Sequence, residues 1–244
     1  MSLELPLSAR LAWWLTAWLR GDEVTDHALD AVTHGDLAHA VDGLEEVTGT
    51  SGTTLLDVFL AARRAGADRA GLALPVEGDL LGLGGPRDLN DAALDSGEAV
   101  VLASFALVPS VVGEVVRWRA LPSAPRQLPD VGEADRGMRA TLVEAAGLLA
   151  DLDVARWRPE VADRLMNLRH RPSLEAPLGV PHRCTDLASR GLQGWAIVDL
   201  ALEDDGGALS SYEVARRRDA LAPLERASRR AVVAACSPEV WPES

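Results

Sequence analysis

The period of the apolar residues changes twice along the chain, and this limits the available folds more than any other feature. Leu11, Trp14, Leu15, Trp18 and Leu19 fall at i, i+3, i+4, i+7 and i+8, one face of a helix over residues 8–20 that must be buried. Ser8 stands where an N-cap belongs and Gly21 where a helix stops. A second helical stretch is predicted from Thr25. A third, over 54–65, sets Leu55, Val58, Phe59 and Ala62 on one side and stops at Gly66. The period then shortens. Residues 71–76 and 79–83 flank Glu77-Gly78 and read as a hairpin, because glycine supplies the positive φ of a tight turn. A short helix over 89–95 precedes strands over 98–104, 105–112 and 115–121.

Beyond three prolines, Pro122, Pro125 and Pro129, the helical period returns. Met138, Leu142, Ala145, Leu149 and Leu152 share a face, as do Val161, Leu165 and Leu168. A helix over 181–203 carries Leu187, Trp195, Val198 and Leu202. Its Gly191 and Gly194 each cost about 1 kcal/mol relative to alanine in an exposed helix, so close packing against a neighbour is the expected compensation. A last helical region over 212–236 contains Pro223, which predicts a break or kink. The fold class is therefore α+β, predominantly helical, with a small antiparallel β-sheet in the middle of the chain. Residues 1–121 form helices plus sheet, 122–130 a proline-rich linker, and 131–244 a helical part packed on the first as one unit.

Composition removes whole classes of chemistry. All 24 basic residues are arginine, which excludes a phosphate-loop lysine, a Schiff-base lysine, the kinase strand lysine and the Ser-x-x-Lys pair. Proton transfer would fall to histidines, carboxylates, cysteines or Tyr212, and arginine is left to bind and orient. A net charge of −13 argues against nucleic acid as a partner, since phosphate binding needs a basic surface. No run reaches the roughly 20 apolar residues of a membrane span, and the N-terminus lacks the cleavage site of a signal peptide. Cys184 and Cys236, two in all and matching no Cys-x-x-Cys pattern, fit a reducing compartment. The expected location is cytoplasmic, with no membrane partner.

Four groups of residues invite a chemical reading. In a continuous helix Asp30 and His34 share a face and His27 lies one turn earlier, a spacing at which imidazole and carboxylate can hold a divalent ion. Gly35 interrupts that helix, and a solvated acidic face is the plain alternative. Gly82-Leu83-Gly84-Gly85-Pro86 offers freed backbone N–H groups to an anion, or is simply a turn. Arg169, His170 and Arg171 close a helix, where the macrodipole favours cations, and their guanidinium groups suit a bidentate anion. Asp199, Glu203, Asp204 and Asp205 crowd another helix end, where carboxylates repel and require a metal, arginines or water. Asp199, between Val198 and Leu200, is the carboxylate expected to be buried, paired and shifted in pKa. A further contrast is regional: residues 20–57 hold nine acids and one arginine, whereas 213–230 hold six arginines and three acids.

Leu80 to Pro86, Leu165 to Pro172, Val198 to Gly207 and Cys236 to Trp241, taken together, resemble conserved hypothetical proteins of high-GC actinobacteria. The resemblance implies no activity, cofactor or catalytic residue. The opposed charge regions, seven tryptophans among ten aromatics and the lack of a catalytic signature favour a non-enzymatic, protein-interaction or regulatory protein acting as a homodimer. The alternative is an anion-binding or hydrolytic domain that brings Arg169, His170 and Arg171 to Asp199, Glu203, Asp204 and Asp205, with an anionic small molecule as ligand. No cofactor is implied.

Overall fold

The computed structural model describes residues 4–33, 38–151, 173–203 and 211–242. Helix α1 spans Leu7–Arg20 and is buried nearly all round, from Ser8 to Trp18 apart from Arg10. A helix apolar on every side has to lie between two layers. Leu11, Trp14, Leu15 and Trp18 enter one apolar core, while Ala9 and Trp13 enter another. Gly21 ends α1 at φ 83° with its N–H on the carbonyls of Ala17 and Trp18. The helix starts one residue before the expected cap, so Ser8 is inside it and buried.

Helix α2 is Thr25–Thr33, and strand β1 is Ala38–Asp42, followed by the short α3, Leu44–Thr48. Helix α4, Leu55–Arg64, opens on a capping box in which Thr54 and Asp57 satisfy each other's backbone N–H groups. Strand β2, Gly71–Ala73, leads into the hairpin tip, closed by paired bonds between Val76 and Asp79. After helix α5, Arg87–Ser96, come β3, Ala99–Val101, β4, Phe105–Val112, and β5, Val115–Pro122. Gly84 lies so close to the Pro125 backbone that a Cβ there would collide with its carbonyl, and Ala124 N–H donates to Gly85 C=O. The glycine loop is a packed turn.

The α+β expectation holds, but the sheet is mixed, with order β1-β5-β4-β3-β2, and β1 runs parallel to β5. His39 and Asp42 stand on that strand, which the sequence pattern does not announce. Five residues are too few to show a period of two clearly, and the partner lies 77 positions on. One sheet face carries Leu107, Val116, Trp118 and Ala120 into the core with α1, α2 and α4. On the other, Leu83 of the glycine loop and Leu89 and Ala93 of α5 pack on Val101, Ala106, Val108 and Leu121.

Among the described residues three long helices follow, α6, Val131–Asp151, α7, His182–Glu203, and α8, Ser211–Ala235, then a short 3-10 turn at Pro238–Val240. The two glycines of α7 do sit against neighbours. A Cβ on Gly191 would fall 2.6 Å from Val232 Cγ2 and 3.0 Å from the Ser228 carbonyl, and one on Gly194 would collide with Ser228 Oγ and Met138 Cε. Gly191→Leu is expected to destabilise by about 1–3 kcal/mol through overpacking, seen as a lower urea midpoint at unchanged slope. Pro223 does not break α8. It is exposed, so the carbonyl it leaves unpaired faces water.

The helical part is tied to the sheet by polar contacts. Trp13 and Trp241 both donate their indole N–H to Ala235 C=O, at 3.1 and 2.9 Å. Ser237 Oγ accepts from Leu72 N–H at 3.1 Å. Arg126 donates to the Leu72 and Gly82 carbonyls and reaches Glu239 at 2.5 Å. Arg229, buried, donates to Leu74 C=O and pairs with Asp79 at 2.9 Å. Two of the C-terminal arginines therefore dock within the chain, Arg229 on Asp79 and Arg230 on Glu133 at 3.4 Å.

Candidate functional site

The strand alternation that buries Trp118 sends its neighbours Arg117 and Arg119 to the opposite face. There the register sets Val108 beside Arg119 and Ser110 beside Arg117, with Ala40 and Asp42 of β1 on the far side. Helix α5 covers only the start of this surface, where Leu89 and Ala93 pack on Val101, Ala106, Val108 and Leu121. Beyond Val108 it is open. Ser110, Arg117 and Arg119 are exposed, and Val111 and Val112 at the hairpin end are 60% and 57% exposed.

β3 also stops short of this half of β4. Ser96 Oγ donates to Pro109 C=O at 2.6 Å, so the Pro109 backbone points outward where no strand follows, and its missing N–H costs no ladder bond. On the β1 side, Asp42, Glu46, Val47, Ser110, Arg117 and Arg119 line a concavity of about 520 Å³. Arg117 pairs with Asp42 at 3.2 Å. The Arg119 and Glu46 side chains make no ion pair or hydrogen bond among the described residues.

A second polar group lies under the start of α1. Ser8 N–H donates to Glu98 Oε2 at 2.7 Å. Burial pushes the Glu98 carboxyl up, against the pull of that bond and of Arg10. Burial likewise lowers the Arg10 pKa in spite of Glu4 and Glu98, and its Nε is buried without a hydrogen bond among the described residues. Trp118 donates its indole N–H to His39 Nδ1 at 3.1 Å; burial, then Arg10, lowers the His39 pKa. The imidazole is therefore neutral at pH 7, with its proton on Nε2.

Of the residues singled out from the sequence, Arg169, His170, Arg171, Asp204, Asp205 and His34 lie outside the described residues. Asp199 and Glu203 are on the last turns of α7 and both are exposed, so Asp199 is not the buried carboxylate expected. The outward side of α7 carries it, a side that Val198 and Leu200 do not share. Its pKa is still raised, first by partial shielding from water, then by Glu225 and Glu203. His27 and Asp30 lie on α2, both exposed. His27 Nδ1 is 2.8 Å from Glu23, and the ring meets Trp14 edge-on at 5.0 Å. Among the described residues no group of three or more His, Cys, Asp or Glu is arranged to hold a metal, and no helix is long and apolar enough to cross a membrane.

The models of the Rv1486c-like protein N-terminal and C-terminal domains match residues 8–131 and 132–233. The chain belongs to the Rv1486c-like protein family. It is 28% identical to the uncharacterized protein Rv1486c of Mycobacterium tuberculosis strain H37Rv, over 97% of this chain and 99% of that one. The same figures hold for the uncharacterized protein MT1533 of strain CDC 1551. No solved structure matches. The resemblance to conserved actinobacterial proteins is thereby upheld. The two domains of this Rv1486c-like chain meet at the start of α6, and the bonds from Arg229 to Leu74 and Asp79 cross that boundary.

Arg119, Glu46, Glu98 and Arg10 were not reached from the sequence. The alternation Arg117-Trp118-Arg119 does announce a polar strand face. That the face stays open depends on where α5 and β3 end, which no local pattern states.

Proposed function

We propose that this protein is a non-enzymatic protein-contact module that pairs with a second copy of itself through the open half of the sheet. The observation that carries the reading is the presence of two unmatched opposite charges, Arg119 and Glu46, in one concave face. A two-fold axis over that face sets Arg119 of one copy against Glu46 of the other, twice, the self-complementary arrangement a C2 interface needs. Val112 at its border, two residues beyond Ser110 on the same face, supplies apolar area that a single chain leaves in water. The anion-binding alternative rests on residues 169–171, outside the described residues, and gains no support from the exposed Asp199.

Sedimentation equilibrium tests the proposal. The wild type is expected to dimerise, and Arg119→Glu to weaken the dimer about 100-fold, since two like-charge contacts of roughly 1.4 kcal/mol each replace two favourable ones. At concentrations low enough for both proteins to be monomeric the melting temperature should not move, because Arg119 is exposed. A monomeric wild type, or a variant that dimerises as well as the wild type, refutes it.

A further inference from the structure

A second concavity, of about 490 Å³, opens between the start of α1, the end of α5 and the outer half of β4. Leu7, Ala92, Val108 and Val111 form apolar wall, Asp95 and Glu98 supply carboxylates, and Arg119 stands at the edge it shares with the dimer face. Its size is that of a small-molecule site, and apolar walls with a few polar groups are the usual composition of one. We propose that this cleft binds a small primary amine on an apolar body, its ammonium held by Glu98.

The chemistry of the lining selects that class. Two carboxylates against one guanidinium leave the cleft negative, which disfavours an anion. Glu98 is fixed through Oε2 by the Ser8 N–H, while its Oε1 has no hydrogen bond among the described residues. One acceptor is therefore both anchored and unused. Arg10 offsets part of the charge, yet burial still works against the carboxylate form, so an incoming ammonium meets an anion short of compensation. Charge-assisted N–H···O bonds are roughly twice as strong as neutral ones, so an amine should be preferred clearly over an alcohol of the same shape. The aliphatic wall then takes the body of the ligand.

The site goes beyond self-association, and binding per chain can be read whether or not the protein is a dimer. Titration calorimetry with phenethylamine, 2-phenylethanol and 3-phenylpropionate is the test, with Glu98→Gln and Ala92→Phe as variants. Glutamine keeps an acceptor for the Ser8 N–H and removes the charge; phenylalanine on the half-buried Ala92 fills the cleft from α5. Saturable amine binding is expected, at least about tenfold tighter than the alcohol and with no carboxylate binding. Glu98→Gln should reduce the amine to the alcohol's affinity, and Ala92→Phe should abolish both. Equal affinity for amine and alcohol, an amine affinity unchanged in Glu98→Gln, or no amine binding at millimolar concentration overturns the assignment.

Discussion

Trp13→Ala is expected to destabilise the protein by about 3–5 kcal/mol, and to lower its melting temperature by roughly 10–15 °C, the largest effect of any single truncation proposed. The indole is fully buried on the side of α1 that faces the helical part, in the core with Leu72, Leu187 and Val232. Removing it leaves a cavity at the seam between sheet and helices, where neither layer can collapse without moving α1. Trp13→Phe separates packing from hydrogen bonding. It keeps most of the volume and removes the indole N–H, but Ala235 C=O retains the bond from Trp241. That variant should lose only about 1–2 kcal/mol. Thermal unfolding of the two, followed by circular dichroism, checks the difference; equal losses would show that the seam is held by the bond and not by the ring.

The second large effect is at Asp135 and Arg190, which face each other between α6 and α7 with side chains 11% and 8% exposed. Burial pushes the Asp135 carboxyl up, but its bond to Arg190 and the nearby Arg139, at 2.9 Å, outweigh this and hold it below the ordinary value. Asp135→Asn leaves a buried guanidinium uncompensated, and should cost about 3–5 kcal/mol. Arg190→Met should cost less, because Arg139, largely in water, still neutralises Asp135. The double replacement Asp135→Leu with Arg190→Met is expected to be close to wild type, as buried pairs exchanged for apolar groups usually are. The pH dependence follows from the direction of the shift. A carboxyl with a depressed folded-state pKa contributes its stability above the unfolded value, near 3.8, and loses it as pH falls through the lower folded value. Urea midpoints should therefore fall more steeply on acidification in the wild type than in the double variant.

Much of the fold could be read locally because its signals are local. Gly21 and Thr54 fix the ends of α1 and α4, and the bounds of β4 agree at both ends because Ser104 and the Gly113 turn flank it. The close packing of Gly191 and Gly194 followed from their cost in a helix. What escaped was set by distant partners. β1 is a strand because β5 pairs with it, and Pro223 is tolerated because its side of α8 meets water. Asp199 was judged by its sequence neighbours, which on a helix face other ways. The candidate surface shows the same division: the outward arginines of β5 are written in the alternation, whereas the opening that exposes them depends on where β3 and α5 stop.

Self-association through that opening is tested most directly by mixing two variants. Arg119→Glu and Glu46→Arg each place like charges opposite one another in a two-fold dimer, so each alone should sediment as a monomer at a concentration about ten times the wild-type dissociation constant, where the wild type is mostly dimer. Mixed in equal amounts, the first supplies two glutamates and the second two arginines at the paired positions, and a heterodimer of wild-type stability should form. Variants that stay monomeric when mixed, or that dimerise separately, would contradict the proposed interface.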